Sequence, residues 1–351
     1  LHAWPSHIRC LMIVFRTDAS MSLGYGHVMR CLALADSFKQ LGEKSVFIFS
    51  KNGDALCEEV VKKGHEYRIL TFSPLHSLGE SEQADAYATL SNLSTSTKLV
   101  VVDHYQLGMD WEEVIISSDI SLLAIDDIFR SHCSQFLLDQ NVIKNENCYA
   151  DNISRECVYF LGPRYALLSK PFQHLRHHVK TRSKLEKIII FFGGTDPDNE
   201  TEKALLGVLA ANKDFKIDVV IGGNNPHRSR LLELCSSTHT TLHIQTPHMA
   251  RLLLDADLAI GAGGSASWER CCMGLPALIS TQAVNQVPIA ATLHELGAVI
   301  NLGMVDKLTD TDYRTAVERL DPNLINNMSA AAMLITDGNG LISQLLREHP
   351  E

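Results

Sequence analysis

Short apolar runs recur along the chain, and most are followed by a glycine-containing turn and then by apolar residues at helical spacing. Strands that are buried on both faces read as nearly continuous apolar runs, so this alternation is typical of α/β proteins with parallel sheets. The pattern predicts strands over residues 11–15, 46–49, 99–102, 122–125, 187–192, 217–221, 258–260 and 277–279. We therefore predict the α/β class.

The clearest predicted helix begins beside a glycine-rich turn, at His27. Its apolar residues recur at three- and four-residue spacing, at Val28, Cys31, Ala35, Phe38 and Leu41. Gly42 then supplies the usual terminator.

A break in the strand pattern separates two halves of similar length. Residues 162–186 contain prolines and a cluster of basic residues, after which a strand begins at Lys187. We therefore predict two Rossmann-like domains that face a central cleft, over residues 1–165 and 187–351, joined by a linker over 166–186. The last helix is expected to pack on the N-terminal domain.

Composition and charge narrow the class of protein. A length of 351 residues fits two domains, and 45% hydrophobic with 21% charged residues is ordinary globular usage, which excludes disorder and coiled coil. The net charge of −10 disfavours broad binding to nucleic acid or to an anionic membrane, and no apolar run is long enough to span a bilayer. We expect a monomer with no nucleic-acid or membrane partner.

The start of the chain and the cysteines favour a cytoplasmic location. Residues 1–11 lack the apolar core of a secretory signal, and we interpret them as an extension before a start at Met12. The nine cysteines form no CxxC pair and are irregularly spaced, so we expect free thiols.

The first candidate motif is RTDASMSLGYGHVMR, residues 16–30. Gly24 and Gly26 allow close approach of the backbone to a ligand, and the helix start favours an anion. His27 at that start has the residue type of a general base near neutral pH. Spacing alone leaves a capping or core histidine equally open.

Two further motifs place glycines after predicted strands. FFGGTDPDN contributes Gly193 and Gly194, with Asp196 as an expected helix N-cap, although an ordinary tight turn fits as well. DLAIGAGGSASWERCCMGLPAL is the most informative motif, since it combines glycines with hydroxyls and a carboxylate: Gly263, Gly264, Ser265, Ser267 and Glu269. Such a set can hold a diphosphate without metal and accept hydrogen bonds from ribose hydroxyls.

Smaller features are less specific. VVDHYQL ends a predicted strand with polar residues that include Tyr105, and STQAVNQVPIAATL places Asn285 and Gln286 before a helix. HLRHHV lies in the basic linker without a nearby carboxylate or cysteine, so we predict no metal site there. Neither a Walker motif nor a full GxGxxG occurs, which argues against a P-loop nucleotidase or a dinucleotide dehydrogenase.

In this order, FRTDAS, LGYGHVMRCLALA, VVDHY, FFGGTD, AIGAGGSASWERCCMGLP and the NQ loop resemble the UDP-2,4-diacetamido-2,4,6-trideoxy-β-L-altropyranose hydrolases of pseudaminic acid biosynthesis. The resemblance covers about residue 12 to beyond residue 290. It implies the glycosyltransferase B fold, with the nucleotide held mainly by the C-terminal domain. It also implies no cofactor and no metal, and a single small-molecule partner, the UDP-sugar.

The resemblance also implies site residues, carried over from matching motifs. The catalytic set is His27, Asp18, Tyr105 and Asn285. The substrate-binding set is Gly26, Gly193, Gly194, Gly263, Gly264, Ser265, Ser267, Glu269 and Gln286. We expect His27 to activate water for inverting attack on the anomeric carbon, with UDP as the leaving group. The rival hypotheses are a glycosyltransferase that uses the same UDP-sugar donor and a non-catalytic nucleotide-sugar sensor.

Overall fold

The computed structural model describes residues 11–20, 24–71, 82–143, 148–149, 152–153, 156–211, 213–340, 342–343 and 346. The chain divides into two compact units, unit 1 (residues 1–169 and 340–351) and unit 2 (residues 170–339). Each unit contains one parallel sheet with interleaved helices, so the predicted two-domain α/β class is confirmed. The proposed extension over residues 1–11 lies almost wholly outside the described residues.

Within the described residues, the sheet of unit 1 has seven strands in the order β3-β2-β1-β4-β5-β6-β7. They are β1 Met12–Thr17, β2 Lys44–Phe49, β3 Glu66–Ile69, β4 Thr97–Asp103, β5 Ser121–Ile125, β6 Phe136–Asp139 and β7 Val158–Leu161. The helices are α1 Gly26–Gln40, α2 Cys57–Lys62, α3 Glu82–Leu90 and α4 Met109–Ile116. The apolar face predicted for α1 is buried against the sheet, and Gly42 follows its end at φ +87°.

Unit 2 has six strands in the order β10-β9-β8-β11-β12-β13. They are β8 Lys187–Phe191, β9 Lys216–Ile221, β10 Thr240–Ile244, β11 Leu258–Ala262, β12 Ala277–Thr281 and β13 Val299–Met304. The helices are α5 Lys170–Arg176, α6 Glu200–Ala210, α7 Arg228–Ser236, α8 Met249–Asp255, α9 Ala266–Cys272, α10 Val287–Glu295, α11 Asp310–Glu318 and α12 Pro322–Met333.

Both sheets have a topological switch point. In unit 1 the chain runs from β1 outward to β3 and then restarts at β4, which is hydrogen-bonded to β1. In unit 2 it runs from β8 to β10 and restarts at β11, beside β8. Ligands of open parallel sheets bind outside the carboxyl ends of the strands at such points. These two edges are therefore the places to look for a site.

The boundary between the units falls at residues 169 and 170, so most of the stretch 166–186, predicted as a linker, belongs to unit 2. The reason is burial: α5 lies in this stretch, and Arg182 is 7% exposed. Residues 340–351, predicted as part of the C-terminal domain, count with unit 1, where Ile342 and Leu346 are buried in the core.

In the described part of the chain, no helix is both long and apolar enough to cross a membrane.

Candidate functional site

A histidine and a carboxylate meet at the switch point of unit 1. His27 lies in the first turn of α1, which follows β1, and Asp103 is the last residue of β4. Since β1 and β4 are neighbours, their carboxyl ends bring His27 Nδ1 to 2.6 Å from Asp103 Oδ1. Strand order, rather than proximity in sequence, creates this pair.

Arg30 completes the surroundings of Asp103. Its Nε and Nη2 atoms donate to the two carboxylate oxygens at 2.6 Å each, and both side chains are buried. Burial alone would raise the pKa of Asp103, but the Arg30 guanidinium and the His27 ring hold that pKa well below its usual range. Asp103 is therefore a fixed negative charge beside the imidazole.

This charge decides which nitrogen of His27 acts as a base. An ionised carboxylate only accepts hydrogen bonds, so Nδ1 of His27 carries the proton and donates to Asp103. Arg30 Nη2 is also 3.2 Å from Nδ1, but it is closer to Asp103. Nε2 keeps its lone pair, has no hydrogen-bond partner within the described residues, and belongs to a side chain that is 11% exposed. His27 is thus oriented as a general base.

Tyr105, a residue of the predicted catalytic set, lies against His27. The two rings meet edge to face, with centroids 4.6 Å apart. The Tyr105 hydroxyl donates to Asp127 at 2.9 Å, and Arg30 Nη1 contacts the same carboxylate at 3.1 Å. Tyr105, Asp127 and Arg30 therefore form a connected rim around the His27–Asp103 pair.

Arg130 fixes the loop that carries Tyr105. Its Nη1 atom donates to the backbone carbonyls of His104, Tyr105 and Leu107 at 2.9 to 3.3 Å. Its Nε atom donates to the buried Asp126 at 2.7 Å. One side chain therefore holds three carbonyls of the short loop that follows β4.

Asp18, predicted as catalytic, belongs to a different network. It is 3% exposed, pairs with Arg16 at 2.9 Å and with His104 at 3.3 Å, and accepts from the Ser50 backbone at 2.7 Å. Burial would raise the pKa of Asp18, but Arg16 and His104 hold it below the usual range. Gly53 has no side chain because a Cβ there would overlap the Asp18 carboxylate. These contacts favour a structural role for Asp18.

A buried chain of acidic groups lies next to this rim. The Tyr149 hydroxyl is 2.9 Å from Asp126 and 3.0 Å from Asp139. A phenol has only one proton to donate, so both contacts are hydrogen bonds only when one carboxyl is protonated. Burial raises the pKa of Asp139 to about 7, which identifies Asp139 as that group. Asp126 remains ionised beside Arg130 and the buried His132. Burial would lower the pKa of His132, but its carboxylate partners outweigh this effect and raise that pKa to about 9.

Asp139 is expected to make folding stability depend on pH. Its pKa in the folded state lies above its ordinary value of 3.8, so the folded state binds more protons between pH 4 and 7 and stability falls as pH rises through that range. Asp139→Asn keeps a donor for Tyr149 but has no carboxyl to titrate. Between pH 4 and pH 8 its free energy of unfolding should therefore fall by about 2 to 4 kcal/mol less than that of wild type. Urea unfolding of both proteins at the two pH values measures this difference. His132 is present in both proteins, so its contribution cancels in the comparison. Equal pH dependence would contradict the assignment.

In unit 2, glycine-rich loops meet at the switch point between β8 and β11. Gly193, at φ +93°, and Gly194 follow β8, and both are half-exposed. Gly222, after β9, lies against the Gly194 carbonyl so closely that a Cβ would overlap it. Gly263 and Gly264 follow β11, so these backbone amides share one edge of the sheet.

The loop after β12 joins this edge. Gln286 Nε2 lies 3.5 Å from the position that a Cβ on Gly264 would occupy, and Gln286 Oε1 accepts from the Gln282 backbone at 3.0 Å. Gln282 Nε2 in turn donates to Asp196 at 3.2 Å. Gln286 thus lies beside the glycine loops at this edge of the sheet. Asn285, in the same short turn, is half-buried.

Asp196 caps the next helix from a distance. The N-cap of α6 is Asn199, so the predicted cap position at Asp196 is wrong. The Asp196 carboxylate nevertheless accepts from the backbone of Glu200 at 3.0 Å and Thr201 at 2.9 Å. Asp196 and Asn199 both adopt positive φ, so the turn between them brings the Asp196 carboxylate back to the start of α6.

The three polar residues of the β11–α9 motif differ in their surroundings. Ser265 is exposed at the start of α9. Ser267 is 1% exposed and its hydroxyl accepts from Arg270 at 2.8 Å, so its predicted place beside the phosphates is wrong for this arrangement. Glu269 is half-buried over a small, mostly apolar cavity of about 10 Å³. Burial raises the pKa of Glu269 to about 7, and Arg270 offsets this only in part.

Gly26 is exposed in the first turn of α1. Among the described residues, no group of three or more His, Cys, Asp or Glu side chains has the arrangement of a metal site.

Three curated proteins are similar in sequence, whereas no family model matches the chain. Spore coat polysaccharide biosynthesis protein SpsG of Bacillus subtilis is 29% identical over 342 residues, which is 93% of this chain and 94% of that protein. UDP-2,4-diacetamido-2,4,6-trideoxy-beta-L-altropyranose hydrolase of Campylobacter jejuni is 24% identical over 257 residues, 73% of this chain and 86% of that protein. The resemblance stated from the motifs is thereby confirmed.

The third relative is the uncharacterized protein MJ1062 of Methanocaldococcus jannaschii, 24% identical over 296 residues. That match covers 78% of this chain, which spans only 56% of the relative's length.

Solved structures with the same fold are glycosyltransferases. MurG of Acinetobacter baumannii has a TM-score of 0.67 at 12% identity, covering 96% of this chain and 99% of that one. The spinosyn rhamnosyltransferase SpnG, complexed with thymidine diphosphate, has a TM-score of 0.64 at 13% identity, covering 97% of this chain and all of that one. The glycosyltransferase B fold predicted for the chain is therefore confirmed.

Proposed function

We propose that this protein hydrolyses UDP-2,4-diacetamido-2,4,6-trideoxy-β-L-altropyranose to UDP and the free 2,4-diacetamido-2,4,6-trideoxy-L-altrose, in pseudaminic acid biosynthesis. The observation that carries the proposal is the His27–Asp103 pair at the switch point of unit 1, with Nε2 of His27 available as a base. Similarity to the C. jejuni hydrolase supports the choice of substrate.

Unit 2 supplies the nucleotide site in this proposal. In the proposal, backbone amides of the two glycine loops, the exposed Ser265 hydroxyl and the Gln286 side chain meet the diphosphate charge without a metal ion, which their position at one edge of the sheet supports. The Glu269 carboxyl, one turn into α9, is the group that would accept hydrogen bonds from the ribose hydroxyls. Good neutralisation of UDP makes it a competent leaving group.

Unit 1 supplies the base. The water oxygen forms a bond to the anomeric carbon while the bond from that carbon to the UDP oxygen breaks, and the water proton passes to Nε2 of His27. Asp103 stabilises the imidazolium that forms, and Arg30 keeps Asp103 ionised and oriented. Tyr105 holds the ring edge-on, and we assign Asn285 to the sugar. A single displacement of this kind inverts the anomeric configuration.

The second candidate is a glycosyltransferase, which the solved structures of the same fold favour. It would use the same donor site and transfer the sugar to an acceptor hydroxyl. Release of free sugar in the absence of any acceptor distinguishes hydrolysis from transfer.

The deciding experiment is the reaction of purified protein with the UDP-sugar in ¹⁸O-labelled water containing excess EDTA. We expect UDP release at the rate seen without EDTA, label on the anomeric hydroxyl of the sugar, and none in UDP. NMR in the first minutes should show the inverted anomer before mutarotation. Label in UDP would mean attack at phosphorus, and activity that requires added Mg²⁺ would contradict metal independence.

A further inference from the structure

A buried guanidinium in unit 2 lacks a carboxylate partner. Arg270 is 3% exposed, and within the described residues its guanidinium forms hydrogen bonds to neutral oxygens and no ion pair with a carboxylate. Its Nη2 atom donates to the Ala262 carbonyl at 2.7 Å and to the Ser267 hydroxyl at 2.8 Å, while Nε has no acceptor. The positive charge is therefore met only by two neutral oxygens.

Two other arginines of the same unit, the buried Arg182 and the half-buried Arg176, show how this differs from ordinary structural use. Arg182 donates to carbonyls in the last turn of α8 and just after α9, and Arg176 donates to the carbonyls of Cys272 and Met333. Carbonyls at helix ends carry partial negative charge, which compensates a cation. Arg270 has no comparable set of acceptors.

An uncompensated buried cation is unfavourable in the free protein. Burial lowers the pKa of Arg270 to about 10, which still leaves it charged at neutral pH. The neighbouring Glu269 neutralises it poorly, because burial raises the pKa of that carboxyl to about 7. A bound anion would therefore relieve an existing electrostatic cost.

The position of Arg270 indicates which anion. Its two acceptors lie at the two ends of the glycine loop, Ala262 at the end of β11 and Ser267 in the first turn of α9. A Cβ on Gly261 would overlap the Phe191 carbonyl and would also lie 3.2 Å from Nη1 of Arg270, so the guanidinium passes close to the end of β11. The guanidinium thus sits directly behind the 263–265 loop that it holds in place.

We propose that Arg270 is a positioning residue that fixes the 263–265 loop and supplies the buried countercharge for a nucleoside diphosphate. The inference rests on the proposed function of this loop. In this proposal, the charge of Arg270 strengthens binding of the diphosphate group, and other residues bind the nucleoside. Ser267 then acts through Arg270 rather than on the phosphates.

The test compares Arg270→Gln, which keeps a donor but no charge, with Arg270→Lys, which keeps the charge. Binding of UDP and of uridine is measured by calorimetry, with Arg176→Gln as the control that removes a half-buried guanidinium hydrogen-bonded to other carbonyls of unit 2. We expect Arg270→Gln to weaken UDP binding by about 10- to 100-fold and uridine binding by less than about threefold. Arg270→Lys should recover most of the UDP affinity, and Arg176→Gln should leave the ratio of the two affinities unchanged.

The possible results distinguish a failure of the proposed nucleotide site from a failure of the role proposed for Arg270. If wild-type protein binds neither ligand, the proposed nucleotide site is wrong. If wild type binds UDP and Arg270→Gln weakens UDP and uridine by the same factor, Arg270 has only a structural role. Equal affinity for UDP in the Lys and Gln variants would likewise overturn the inference, because charge would then be irrelevant.

Discussion

Replacing His27 with alanine is expected to lower the turnover number by about 10²- to 10⁴-fold, the usual contribution of a positioned general base. UDP affinity should change by less than about twofold, since His27 contacts Asp103, Arg30 and Tyr105 of unit 1 and the nucleotide loops belong to unit 2. Steady-state UDP release and calorimetric UDP binding measure the two effects separately.

His243 provides a matched control for this experiment. It forms a histidine–carboxylate pair with Asp218, at 2.8 Å, on β10 and β9 of unit 2, away from either switch point. His243→Ala should leave turnover within about twofold of wild type, because nothing in the proposed reaction uses it. If His27→Ala kept more than about a third of the wild-type rate, His27 could not be the base.

Replacing Arg182 with methionine is expected to lower the free energy of unfolding of unit 2 by about 3 to 5 kcal/mol. Arg182 is 7% exposed and is hydrogen-bonded to backbone carbonyls of Lys180, Leu253, Leu254, Ala256, Met273 and Gly274. Methionine fills a similar volume but donates nothing, so these buried carbonyls would lose their partner. Urea unfolding of the full chain, with hydrogen exchange of unit 2 peptides, measures the loss.

Lys184→Met is the control for the stability experiment. Lys184 is exposed, and its ion pair within the described residues is with Glu186, so its removal should change the free energy of unfolding by less than about 0.5 kcal/mol. A loss below about 1 kcal/mol for Arg182→Met would show that water replaces the guanidinium at these carbonyls.

The apolar pattern predicted the central strands of both sheets and missed the edges. All eight predicted strands exist, and they include β1, β4, β8 and β11 at the switch points. The missed edge strands β3, β7, β10 and β13 are largely exposed or half-buried; polar residues interrupt the apolar run in β3, β10 and β13, and β7 is only four residues long. The missed β6 is buried but only four residues long, too short to stand out.

The sequence predicted candidate site residues where the functional residue and the turn that positions it lie in the same short motif. His27 and the glycines were found for this reason, whereas Asp103, Arg30 and Asp127 were not assigned to the site. Arg30 had a signal, because it lies three residues after His27 on the same face of α1. The hydrogen-bond partners of Asp18 and Ser267 could not be predicted, because the sequence does not give the orientation of a side chain.

The discontinuity of unit 1 has a consequence for synthesis on the ribosome. Unit 2 is one continuous stretch, so all of its residues have been translated before residue 340 is added. The core of unit 1 includes Ile342 and Leu346, and it cannot close fully until these last residues emerge. The half of the chain that is made first is therefore the half that is completed last.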